Sequence, residues 1–348
     1  MEELYCMKLP LKLNSDNDIY YNCKKCYSYD YFMNIITGGR GIGKTTSWCI
    51  QALIGCNKGN EFIYLRRYKP ELQEFVNKDT LNNITDGVVY KGGKDGVTFI
   101  RENQILGYGI TLATAQKYKS AQFPKVNLII FDEAILSRGS MYRYLQDEVF
   151  TLLEFVSTVF RTRTNGRVVI LGNNLDIFNP YFEYFDIPLF EGIYTNKERS
   201  IYCEMAKNSP KLLAMEEKTG LYKLTKGTSY GDYHYDNKVL VSDKVNVMPK
   251  PDDARLLCRA IINGYTLNFY LFNDATTKDL CIYCEFKAKA IKDNISYTLI
   301  DGQRPNYAFV NEFRSKFRTF FTRKYDDGLF FFNSEKGGSI YQWIRQKI

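Results

Sequence analysis
The chain has 348 residues, 45% apolar and 25% charged, with a formal net charge of +8. That is a globular composition, long enough for two cores, and no apolar run approaches the roughly 18–20 residues of a membrane span. The basic balance suits a polyanionic partner, and from Asn246 onward 16 Lys and Arg stand against 11 Asp and Glu, so most of the excess lies in the last third.

In chain order, residues 32–37 (FMNIIT) read as a buried strand. It runs into Gly38-Gly39-Arg40-Gly41-Ile42-Gly43-Lys44-Thr45-Thr46, which matches the G-x-x-x-x-G-K-[ST] phosphate loop, with a helix expected over 44–56. Glycines let several backbone N–H groups converge on one anion, and the helix N-terminus adds its dipole. ATP is therefore the expected cofactor, with residues 38–46 as its cradle. Lys44 is expected on the β- and γ-phosphates and Thr45 on Mg²⁺.

A second strand is expected over 61–67 (EFIYLRR), then an antiparallel pair over 96–100 and 105–113. The continuous apolar run at 126–131 (VNLIIF) has the character of a central parallel strand. It ends in Asp132 and Glu133. A carboxylate at such a place is costly unless paired, and Mg²⁺ opposite Thr45 would pair Asp132. Glu133, one residue on, is the candidate general base. Residues 146–163 repeat apolar positions at helical spacing, and Thr164-Asn165-Gly166 turns the chain into a strand at 167–171. Asn173 follows, placed to orient water or sense the γ-phosphate. Arg161 and Arg163 close the helix. They either complement its dipole or supply an arginine finger to a neighbouring subunit, with Arg40 as the rival in cis.

Strand–helix alternation argues for an α/β fold with a mostly parallel central sheet. The expected division is an N-terminal ATPase domain over 1–195, a linker or small connecting subdomain over 196–245, and a second unit over 246–348. That unit has strands at 256–262, 265–272 and 280–286 and a helix at 305–322, where Phe309, Phe313, Phe317 and Phe320 recur at helical spacing beside Arg314 and Arg318. The nine cysteines, with one histidine, read as reduced packing residues of an intracellular protein, since MEELYCMKLPLKLNSD lacks the order of a secretory signal. The residues alone leave three classes open: an ATPase acting on nucleic acid (helicase or pump), a small-molecule kinase, and a nucleotide-regulated structural protein that binds nucleic acid.

The stretches GGRGIGKT, FIYLRRYKPEL, LIIFDEA, TVFRTRTNGR and NPYFEYF, in this order and spacing, resemble the genome-packaging ATPases of phi29-like small tailed bacteriophages. The resemblance implies a P-loop ATPase of the additional-strand (ASCE) type, joined to a smaller C-terminal α+β unit like ribonuclease H. It implies a homo-oligomeric ring, a pentamer, at the portal vertex of an empty capsid in the host cytoplasm. The ring pumps double-stranded DNA inward, away from any membrane, and a structural RNA is a conceivable further partner. Residue by residue, it implies Asp132 on the metal and Glu133 as catalytic glutamate. Arg161 would be the trans-acting finger, and Lys119 a second basic residue between subunits. A working nuclease of that type holds metal with a strand aspartate; residues 265–272 (YTLNFYLF) carry Asn268 instead, so no nuclease activity is expected. A motor that grips any sequence touches phosphates, and the candidates are Arg66, Arg67 and Lys69 in one loop and Arg138 and Arg143 in another.

Overall fold
The structure, a computed structural model, describes residues 9–13, 18–93, 95–136, 142–173, 179–185, 187, 190, 192–235, 245–262, 265–287, 296–298, 307–334, 337–338 and 340–341. Two compact units emerge, residues 1–177 with 189–239, and residues 178–188 with 240–348.

The first unit begins with a short helix α1 (Lys24–Ser28), then β1 (Met33–Gly38), α2 (Lys44–Cys56), β2 (Glu61–Arg66) and α3 (Lys69–Asn77). Next come β3 (Val89–Gly92), β4 (Gly96–Arg101), β5 (Gln104–Thr111), a 3₁₀ helix (Leu112–Tyr118), β6 (Val126–Ile135), α4 (Glu148–Phe160) and β7 (Arg167–Gly172). After α5 (Pro180–Tyr184), which counts with the second unit, follow β8 (Ile193–Asn196), β9 (Ile201–Ala206) and the short helices α6 (Pro210–Glu216), α7 (Gly220–Thr225) and α8 (Ser229–Tyr235).

Among the described residues these strands form one sheet in the order β3-β4-β5-β2-β6-β7-β1-β9-β8. The six from β5 to β9 run parallel; β3, β4 and β8 pair antiparallel at the two sides. β7 is thus the additional strand between β1, which feeds the glycine loop, and β6, which carries the acids. β1, β2 and β7 are buried at every position, as central strands covered on both faces are. One core joins Trp48, Leu53, Leu72 and Phe75 of α2 and α3 to Phe62, Tyr64, Ile130 and Leu171 of the sheet.

The expected start of a linker at residue 196 is corrected. β9 lies in register beside β1, from Met33 opposite Ile201 to Gly38 opposite Ala206. The approach is so close that a Cβ on Gly38 would stand 2.6 Å from the Ala206 carbonyl. β3 was also missed, and residues 207–235 hold three short helices.

In the second unit β11 (Arg255–Ile262), β12 (Tyr265–Asn273) and β13 (Leu280–Lys287) form an antiparallel meander. β14 (Ser296–Thr298) joins β11 in parallel; β15 (Phe330–Phe332) joins β13, and β10 (Asn246–Val247) joins β15. The helix α9 (Tyr307–Asp326) lays Phe313 and Phe321, both fully buried, against Phe269 of β12. The aromatic stripe is therefore core, and it continues through Phe321 rather than Phe320. The side chain of Phe309 lies outside the described residues.

Candidate nucleotide site
The chain leaves β1 at Gly38 and turns through Gly41 (φ 77°) and Gly43 (φ 90°), left-handed conformations that glycine adopts without strain. Gly43 then caps α2. Lys44 is 8% exposed, and its ammonium donates to the carbonyls of Gly38 (2.9 Å) and Gly39 (2.7 Å). Burial pulls its pKa down to about 8 against the opposing pull of Asp132 and Glu133. A buried ammonium satisfied only by loop carbonyls has room for phosphate as a partner. The cleft above it, about 310 Å³, is lined by residues 40–46 with Asp132, Glu133, Gly172 and Asn173.

Asp132, buried on β6 just before the exposed Glu133, reaches Thr45, whose hydroxyl lies 3.0 Å from both carboxylate oxygens. Between Phe131 and Ile135 the register with β7 slips, and Glu133 takes φ 52°. A bulge of this kind re-aims a side chain, and it turns Glu133, half exposed, toward the cleft. The phosphate loop, Thr45, Asp132, Glu133 and Asn173 thus converge. Arg40 is exposed at the rim.

Arg66 and Arg67, expected on DNA, are buried instead. Successive strand residues face opposite sides. Arg66, 6% exposed, shares the Tyr64 face, with its Nη2 2.6 Å from Glu133 and 3.5 Å from Glu71 and its Nη1 3.5 Å from Asp132. Arg67, 0% exposed, faces the other way and donates to both oxygens of Glu148 (2.7 and 2.8 Å) and to the Ala134 carbonyl. Neither offers a surface to a polyanion, because both guanidinium groups are consumed by carboxylates of the fold. Lys69, at the first position of α3, and Arg143 are exposed. Tyr68 joins their neighbourhoods by stacking on Tyr142 at 5.4 Å and donating to the Arg143 carbonyl at 2.9 Å. Arg138 lies outside the described residues.

Lys119 and Arg161 are both exposed, and Arg161 reaches the Ala121 carbonyl at 3.4 Å. They share the end of the sheet opposite the cleft. β6 carries the acids at its C-terminal end, α4 runs back for 13 residues, about 20 Å, and Arg161 stands where β7 begins. Arg163 is committed elsewhere. Its guanidinium donates to the carbonyls of Phe123, Pro124, Val126 and Val159 at 2.6–2.9 Å.

In the second unit, Asn268 accepts from Arg259 Nε (3.0 Å) and donates to Glu285 (3.1 Å), which also pairs with Lys287 (2.7 Å). Lys287 neutralises Glu285, and no cluster of three metal-ligating residues occurs among the described residues. The strand order puts β11, not β12, first in the meander, and β11 carries Arg259 and no carboxylate. No helix is long and apolar enough to cross a membrane among the described residues.

Sequence reasoning missed Tyr64, whose hydroxyl donates to Asp132 at 2.7 Å, and misassigned Arg66. Two adjacent polar residues, Tyr64 and Arg66, on one face of a strand flanked on both sides were the available signal.

A family model described as podovirus DNA encapsidation protein (Gp16) matches residues 15–347. The DNA packaging protein of Bacillus phage phi29 is 32% identical over 263 residues, covering 74% of this chain and 76% of its own. That of Bacillus phage B103 is 30% identical over 292 residues, covering 83% and 88%. Among solved structures, the bacteriophage phi29 viral genome packaging motor assembly superposes with a TM-score of 0.61 at 24% identity, over 94% of this chain and 99% of the other. That likeness concerns the fold.

Proposed function
The chain belongs to the podovirus DNA encapsidation family and serves phage DNA packaging, and on that premise we propose that it hydrolyses ATP to drive double-stranded DNA into the procapsid. The observation that carries the reading is the meeting of Lys44, Thr45, Asp132 and Glu133 in one cleft, with Thr45 3.0 Å from the Asp132 carboxylate. Loop amides and Lys44 would hold the phosphates, and Thr45 and Asp132 would hold Mg²⁺, which when bound neutralises phosphate charge. Glu133 is the base that takes a proton from the attacking water. Arg66 holds that carboxylate at 2.6 Å, so proton transfer to Glu133 requires the pair to loosen.

Arg161 cannot serve its own cleft, since α4 carries it to the far end of the sheet. Its use is in trans, with Lys119 beside it, in a ring of subunits that we take to be a pentamer at the portal vertex. Of the described DNA candidates, Lys69 and Arg143 are exposed and able to meet DNA phosphates.

Glu133→Gln tests the reading. ATP turnover should fall by about 10²–10⁴, the usual weight of general-base catalysis, while ATP binding and assembly persist. A variant with wild-type turnover would remove Glu133 from the chemistry.

A further inference from the structure
Asp132 is held by four donors of its own chain. Its Oδ1 accepts the Thr45 hydroxyl and the Glu133 N–H, each at 3.0 Å. Its Oδ2 lies 3.0 Å from the same hydroxyl and 3.5 Å from Arg66 Nη1, and it accepts the Tyr64 hydroxyl at 2.7 Å, the shortest contact of the set.

These donors differ in what becomes of them. Thr45 must turn its oxygen to the metal, and Arg66 divides itself among Asp132, Glu133 and Glu71. Tyr64 has no comparable freedom. It sits on the central strand β2, 1% exposed, with its ring stacked on Phe75 at a centroid distance of 3.7 Å.

The geometry points to Tyr64 as the positioning residue of the magnesium aspartate: its hydroxyl pins one carboxylate oxygen and so sets how the other is presented to the ion. This rests on the reading of the cleft as a Mg²⁺–ATP site. A carboxylate fixed in advance loses no rotamer freedom on meeting the metal. Without the phenol, Asp132 is free to turn toward Arg66. Outer partners of metal ligands typically weigh 10–100-fold in metal affinity or activity, and the Tyr64–Asp132 bond is of that kind.

Tyr64→Phe removes the hydroxyl and keeps the ring and its stack on Phe75. Binding of ADP by the full-length protein is measured calorimetrically with Mg²⁺ and again in EDTA, for wild type and variant. The expected result is a loss of about tenfold or more in MgADP affinity, with affinity in EDTA and the far-ultraviolet dichroism unchanged. A variant that keeps the whole magnesium-dependent gain overturns the assignment. So does one that loses the same factor in EDTA, because Tyr64 would then support the fold rather than the ligand. A wild-type protein with no magnesium-dependent gain overturns the reading of the cleft itself, a distinct outcome.

Discussion
Arg67→Ala separates a buried strut from a DNA contact. The guanidinium is 0% exposed and the Glu148 side chain 1%, and the two are joined by parallel bonds of 2.7 and 2.8 Å. Truncation takes both of those bonds from a buried carboxylate that also accepts the Leu145 N–H at 2.8 Å. It also strips the rings of Phe131 and Tyr144 of the cation above them. Breaking a buried pair from one side costs about 3–5 kcal/mol. For a unit of this size each kcal/mol lowers the melting temperature by about 2–4 °C, so a fall of about 6–20 °C is expected. The double change Arg67→Met with Glu148→Leu should recover most of that loss, because apolar replacement of both partners is often neutral or better. Calorimetric melting of the three proteins measures the stabilities, and DNA binding against salt is measured on the double variant. A single variant melting within about 2 °C of wild type, together with a salt slope reduced by about one in the double variant, would refute the burial argument and return Arg67 to the DNA.

The Lys44 ammonium, held at about 8 by burial, should be driven up by a triphosphate, so ATP binding takes up a proton above pH 8 and affinity falls about tenfold per pH unit there. Calorimetry at pH 8.5 in two buffers of different ionisation enthalpy reads the sign, and proton release would contradict it. For the trans assignment, Arg161→Ala and Glu133→Gln subunits should each be inactive alone and regain ATP turnover when mixed, since a site then draws its base and its arginine from different chains. Mixed rings as silent as the separate ones would mean that Arg161 acts in its own subunit or not at all.

The phosphate loop was legible because its chemistry is local: consecutive glycines and a lysine make the cradle within nine residues. The strand ending in Asp132 and Glu133 was legible for a related reason, as an unbroken apolar run terminated by acid has few other uses. What escaped depends on residues far apart in the chain. Arg67 finds Glu148 81 positions on, and Tyr64 finds Asp132 68 positions on. β9 was lost because IYCEMA is short and its partner β1 lies far upstream. Lys119 carries no local signal, and only the family resemblance singled it out.

Strand geometry accounts for the two fates of the arginine pair. Two adjacent cations near the C-terminal end of β2 look like a basic loop when read as a run of charge. Alternation along a strand separates them, one to each face of the sheet. Arg66 enters the nucleotide face and holds the acids of β6, whereas Arg67 enters the other face and holds the first turn of α4. The same β6 segment is therefore gripped from both sides, through Glu133 by Arg66 and through the carbonyls of Glu133 and Ala134 by Arg67. Lysine at either position would keep the charge and lose this grip, because one ammonium cannot span a carboxylate and a carbonyl in the fixed fork that guanidinium provides.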